Sequence, residues 1–169
     1  MNRAINDDEL SLSLYLRRGQ VSADGIEESP DQLNSVVAEV GPVVQTLQAP
    51  TNYLVFCMAG EYDRRLFGDF GADCCIVVRE PLNFINHMLE AISTVLGGWQ
   101  SFGAPVTYVD PMNTSAEQLD IFFSKHFKYA YQKEYRLIWL PPEPRMQIQP
   151  LNIAIGPLDQ WCELISLEE

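Results

Sequence analysis

Basic side chains are scarce in this chain: 11 Lys and Arg stand against 23 Asp and Glu, a formal net charge of −12. Phosphate backbones and anionic lipid surfaces are held mainly through Lys and Arg, so general nucleic-acid or membrane-surface binding is disfavoured. Long apolar runs are also missing. None approaches the roughly 18 residues that suggest a transmembrane helix. The N-terminal stretch MNRAINDDELSLSLYLRRG has no long apolar core and carries Asp7, Asp8 and Glu9. It does not read as a signal peptide, and a cytoplasmic location is expected. The cysteines are Cys57, Cys74, Cys75 and Cys162, with no C-x-x-C, and neither His87 nor His126 stands at zinc spacing from them. No metal site is expected, and the thiols read as buried, reduced and structural. A glycine-rich phosphate loop, H-E-x-x-H and G-x-S-x-G are all lacking, which argues against the standard nucleoside-triphosphatase and hydrolase classes.

What is present is core material. A hydrophobic fraction of 47%, with 8 Phe, 7 Tyr and 3 Trp in 169 residues, is enough for one folded domain. Residues 10–18 alternate Leu with polar or bulky partners and predict a half-buried strand. Ser29, Pro30 and Gln32 form a helix start signal, and the helix is expected to run to Gly41-Pro42, with a further turn or two over 43–50. Residues 52–60 (NYLVFCMAG) predict a fully buried central strand, and 74–80 (CCIVVRE) another. Between them, 61–73 is expected to be a loop with one helical turn. Residues 81–98 carry Phe84, Met88, Ile92 and Val95 at helical spacing and end in Gly97-Gly98. A short strand is expected at 105–111. Thr114 and Glu117 stand in capping-box register and predict a helix over 114–130, its apolar face made by Leu119, Phe122, Phe123, Phe127 and Ala130. Residues 131–140 then read as a strand, 150–157 as a late strand, and 158–165 as a terminal helix or turn. Strands and helices mixed without regular alternation predict a single-domain α+β protein over 1–169, with small twisted mixed or antiparallel sheets and flanking helices.

The lysines, Lys125, Lys128 and Lys133, all fall in one short stretch of an acidic chain. If 131–140 is a strand, Gln132, Glu134 and Arg136 share one face, while Tyr131, Lys133, Tyr135, Leu137 and Trp139 share the other. A carboxylate among cations favours its ionised form and can orient a hydroxyl or stabilise a developing cation. Lys and Arg around it can hold phosphates. The plainer reading of the same spacing is a solvated face with an ion pair. The loop Glu61-Tyr62-Asp63-Arg64-Arg65 follows an apolar strand and is a second candidate for substrate or partner contact. His126 has no orienting partner visible and reads as structural. His87 reads as a helix-surface residue.

The stretches LFGDFGADCCIVV, VTYVD and FFSKHFKYAYQKEYRL resemble, in that order, a group of bacterial and phage proteins known only as a domain of unknown function. The hallmark is an aromatic residue, Glu or Gln, any residue, then Glu-Tyr-Arg, here Tyr131 to Arg136. The similarity covers roughly residues 50–158. Gln132-Lys133-Glu134 is also similar to the Gln-x-Glu or Glu-x-Glu turn of ADP-ribosyltransferases, an α+β fold of two small packed sheets. That resemblance implies NAD as substrate, with Glu134 on the nicotinamide ribose stabilising an oxocarbenium-like transition state and Gln132 positioning the acceptor. It implies an arginine of the first strand, Arg17 or Arg18, on NAD phosphate, with Arg136 and Tyr62 as further NAD-binding candidates. The departure is the middle strand: Cys57-Met58-Ala59 stands where the family has Ser-x-Ser, and the next hydroxyl is that of Tyr62.

The expectation is therefore an ADP-ribosyltransferase-like protein, active or degenerate, with a protein acceptor or partner. The alternative is a non-enzymatic interaction module in phage–host conflict, binding an acidic partner through Lys125 to Arg136.

Overall fold

The computed structural model describes residues 11–16 and 43–166. The fold is α+β, with small sheets and short helices. Arg17, Arg18 and the helix expected from Ser29 lie outside the described residues. No helix among the described residues is long and apolar enough to cross a membrane. Contacts gather the chain into two compact units, one holding 50–105 and 131–166 of the described residues, the other 11–16, 43–49 and 106–130.

The first unit is built on a three-stranded antiparallel sheet of β3 (Leu54–Ala59), β8 (Glu134–Leu140) and β5 (Gln100–Pro105), with β8 in the middle. β8 is pinned by a neighbour on either side, so its backbone polar groups find partners within the sheet. That allows the run Leu137-Ile138-Trp139 to be buried on both faces. Residues 52–60 are thus not a fully buried central strand. β3 is an edge, with Val55 and Phe56 each 38% exposed. Its apolar content suits a half-covered sheet as well as a buried one, and composition alone cannot tell them apart. β5 is the other edge and ends in Pro105, which an edge tolerates because no ladder hydrogen bond is lost on its open side.

A helix, α2 (Pro81–Val95), starts with proline in its first turn and buries Phe84, Met88 and Ile92. These pack with Leu137, Trp139 and Cys162 into the core of the unit. The three share one helical stripe, as the spacing predicts; Val95, expected on that stripe, is exposed. A second sheet pairs β4 (Cys74–Val78) with β9 (Cys162–Ser166), antiparallel. β4 is less buried than expected, with Cys74 and Ile76 exposed. Of the chain's terminal segment, Leu158 to Trp161 forms a turn, closed by the Cys162 amide on the Leu158 carbonyl at 2.8 Å. The continuation is a strand rather than a helix. Residues 150–157 form no strand: His87 Nε2 meets the Ile155 carbonyl at 2.5 Å, and its ring packs on Trp161. His87 is accordingly half-buried rather than a surface residue. Between β3 and β4 stands the one-turn helix α1 (Arg65–Phe70), closed by Gly71 at φ +62.

The second unit pairs β1 (Ser11–Leu16) with β2 (Val43–Gln48), antiparallel, Leu14 fully buried and Tyr15 half-exposed as the alternation predicts. Residues 43–48 are therefore strand and not a helical continuation. Val43-Val44 and Thr46 are β-branched, which favours a pleated neighbour over a helix. The other pair is parallel, β6 (Thr107–Val109) with β7 (Ser124–His126). The helix expected over 114–130 does not form. In its place are a 3-10 turn at Ala116–Gln118, then β7, then a second 3-10 stretch at Phe127–Gln132. The capping box exists one residue later than expected, on Ser115 and Gln118. Asp120 explains the break: its carboxylate accepts the Phe122 amide at 2.9 Å, and its own amide donates to Ser124 Oγ at 3.2 Å. Such local side-chain bonds compete directly with the helical ladder.

Candidate functional site

The Gln-x-Glu stretch sits where a 3-10 turn becomes a core strand. Gln132 ends the turn and Glu134 begins β8. Lys133 between them has φ +42, a left-handed conformation that a lysine adopts at a cost of roughly 1–3 kcal/mol and keeps only when its surroundings enforce it. They do so here through β3. The Lys133 carbonyl accepts the Gly60 amide at 2.7 Å. A Cβ on Gly60 would stand 2.9 Å from that oxygen, so only glycine allows the approach. The Lys133 ammonium also donates to the Glu61 carboxylate. The kink overturns one expectation: the strand does not extend back to 131, so Gln132 is not on the strand face of Glu134 and Arg136.

From Glu134 onward the alternation holds, and the face is not solvated. Glu134 is 6% exposed and Arg136 1%. Arg136 Nε donates to Glu134 Oε1 at 2.5 Å. Gln132 is 5% exposed, and its amide Nε2 is buried with no hydrogen-bond partner among the described residues. Across the sheet, Ala59 stands opposite Glu134 and Cys57 opposite Arg136. The strand that carries Cys57-Met58-Ala59 is thus the hydrogen-bonded neighbour of the strand that carries Glu134.

The loop singled out after β3 comes to the same place. Tyr131 donates its hydroxyl to Asp69 Oδ2 at 2.5 Å, and the Arg65 guanidinium lies 4.8 Å from the Tyr131 ring centre. Asp63 accepts both the amide and the guanidinium of Arg65, at 2.9 and 3.0 Å. This contact holds the Asp63 carboxyl below the ordinary aspartate value, the Arg65 side-chain hydrogen bond being the main cause. A depressed folded value stabilises the folded form above about pH 4, the unfolded aspartate value. That contribution is lost as pH falls through the lowered value. In a carboxyl-detected NMR titration Asp63 is expected to titrate below the ordinary aspartate value, and Arg65→Met is expected to raise it toward that value. A titration that Arg65→Met leaves unmoved would remove the contact from the solution structure.

Tyr62 is exposed, its ring edge-on to Phe67 at 6.0 Å. Arg17 and Arg18 fall outside the described residues. The basic stretch from Lys125 to Arg136 is not a uniform surface patch. Lys125 and Arg136 are buried, Lys133 is paired with Glu61, and Lys128 is exposed. In the second unit, Lys125 and Lys128 place their ammonium groups 4.9 and 4.5 Å from the ring centre of buried Tyr129. Their charges are spent in part on that ring. His126 lies on a strand, not a helix, with its ring stacked on Phe127 and its Nδ1 accepting the Lys128 amide at 3.1 Å.

The thiols differ from expectation. None of the four cysteines is in a disulfide; Cys162 is buried, Cys57 and Cys74 are exposed, and Cys75 is half-buried. The tendency of free cysteine to be interior yields where β3 and β4 are open strands. Cys74 is no activated nucleophile: its hydrogen bond to Asp73 pushes the thiol up from its ordinary value, and the thiolate is the reactive form. Among the described residues no group of three or more His, Cys, Asp or Glu is placed to hold a metal ion.

Residues that sequence reasoning passes over are Gly60, Asp69 and the hydroxyl of Tyr131. Only Gly60 carries a signal, as a glycine closing an apolar run. Comparison with known proteins returns no matching family model, no curated relative and no solved structure.

Proposed function

We propose that this chain is an ADP-ribosyltransferase-like protein of degenerate kind, a cytoplasmic binding form that retains Gln132-x-Glu134 without turning NAD over. The observation that carries the reading is the buried Glu134–Arg136 ion pair. A glutamate that stabilises an oxocarbenium-like transition state must present its carboxylate to the ligand. Here the carboxylate is already engaged by a guanidinium that is itself buried, and detaching it would break an ion pair inside the core. The neighbouring strand supports the same reading. Opposite Glu134 and Arg136 it offers the methyl of Ala59 and the thiol of Cys57, where the resemblance calls for hydroxyls. Gln132 keeps a use: a buried amide nitrogen without a partner suits an acceptor oxygen on a ligand.

Calorimetric titration with NAD, paired with a nicotinamide-release assay on wild type and Glu134→Gln, tests this. The expected result is measurable NAD binding with no nicotinamide released by either protein. Release by the wild type that Glu134→Gln abolishes would make the chain an active transferase. No heat at millimolar NAD would remove NAD from the account.

A further inference from the structure

Half of the ten residues from Glu61 to Phe70 are charged, and the segment is bounded by glycines with different duties. Gly60 permits the close approach to the Lys133 carbonyl, and Gly71 supplies the positive φ that ends α1. Within the segment Phe67 is the buried apolar anchor. Its polar side chains fasten it at two points: Glu61 to Lys133, and Asp69 to Tyr131, with Arg65 laid over the Tyr131 ring.

Those two points are the residues on either side of Gln132. The middle residue of the clasp is thus the one with a buried amide nitrogen that has no hydrogen-bond partner among the described residues. Burial without a partner is unfavourable in the closed form and is relieved when a ligand oxygen arrives. The Lys133–Glu61 fastening is also of a kind that releases readily. Lys133 and Glu61 are 52% and 64% exposed, and exposed ion pairs contribute little. The positive φ of Lys133, +42, is held by the Gly60 amide at the edge of the segment.

We infer that residues 61–70 form a gate, latched to Tyr131 and Lys133, whose opening gives a ligand's acceptor oxygen access to Gln132. The identity of that ligand as NAD rests on the function proposed above; the gate itself does not.

Hydrogen exchange on the full chain, read by mass spectrometry, separates the two. In the wild type, amides of 61–70 are expected to exchange at least roughly tenfold faster than those of β8, by local opening. The double variant Glu61→Gln/Tyr131→Phe keeps the shapes and weakens both latches. It is expected to speed exchange of 61–70 by roughly a further tenfold and leave β8 and α2 unchanged. Gly60→Ala, which pushes the segment off the Lys133 carbonyl, is expected to act in the same direction. Exchange of 61–70 in step with β8 in the wild type, or a rate that neither variant alters, overturns the gate. With NAD as probe, the double variant is expected to bind more tightly than wild type by up to about tenfold, because less opening work is needed. Equal NAD binding by both overturns the gate's control of access. If neither protein binds NAD, the proposed function falls, while faster exchange in the variants still supports the gate.

Discussion

Arg136→Met is expected to lower unfolding stability by about 3–5 kcal/mol in urea denaturation, among the largest effects of any single substitution in this chain. Arg136 is 1% exposed, and its Nε donates to a glutamate that is itself 6% exposed. Removing the guanidinium leaves the Glu134 carboxylate buried beside a thioether. The protein must then bury the charge with one partner fewer, protonate it or open the sheet, and each course is costly. The cost comes mainly from the abandoned partner and not from the intrinsic strength of the pair. The double variant Glu134→Leu/Arg136→Met is therefore expected to recover most of the loss, since two apolar residues of similar volume carry no desolvation penalty. Nicotinamide release, expected to be absent in the wild type, should be absent in both variants as well. A single variant within about 1 kcal/mol of wild type would mean that Glu134 reaches water or a ligand once Arg136 is gone. In that event the pair is a latch on a working carboxylate, and the degenerate reading loses its main support.

How far this site is legible in sequence depends on the residue. Glu134 and Arg136 follow from period alone, because β8 is extended from Glu134 onward and its alternation is regular. Their burial does not follow. Alternating charge on a strand is ordinarily a solvated face, and only the central position of β8 in its sheet reverses that. Gln132 is misplaced by period for a local reason. Lys133 at φ +42 breaks the extended chain, and lysine gives no hint of it, since glycine and asparagine are the residues expected there. The cause lies 73 positions earlier, at Gly60, whose missing side chain admits the Lys133 carbonyl.

The fold shows the same division. α2 and the strand at 134–140 are legible because each buries a regular pattern in one core. The stretch 114–130 has helical spacing of its phenylalanines and is not a helix, because Asp120 and Ser124 take over backbone groups that the helix would need. Residues 52–60 are correctly a strand and wrongly central: which strand lies in the middle is decided by pairing with β8 and β5, which no single segment encodes. The two helices named as carriers of Lys125 and of the N-terminal cap illustrate opposite limits. One is replaced by a short strand between 3-10 turns, and the other lies outside the described residues.

Leu137→Ala is expected to cost about 2–5 kcal/mol, and toward the upper end, because the side chain is 1% exposed at the centre of the cluster with Phe84, Met88, Ile92 and Trp139. Neighbours fixed on a helix and a central strand cannot collapse far into the space it leaves. The opposing strand supplies a sharper test. Gly103 is the cross-strand partner of Leu137, and a Cβ built there would stand 2.9 Å from Leu137 Cδ2 and 3.0 Å from the Tyr135 hydroxyl. Gly103→Ala alone must therefore displace the leucine, with an expected loss of about 1–3 kcal/mol. In the Leu137→Ala background the Cδ2 atom is gone, and the new methyl moves into room already vacated. The tyrosine hydroxyl is the end of a long side chain and gives way more easily than a packed leucine. The double variant is then expected to lose less than the sum of the two singles, by about 0.5–3 kcal/mol, in a denaturation cycle with unchanged slope. Strict additivity would mean that Leu137 does not lie over Gly103, and with it the register of β5 on β8 would have to be redrawn. Since the same register places Ala104 opposite Arg136, the cycle also tests the frame that holds the Glu134–Arg136 pair in the core.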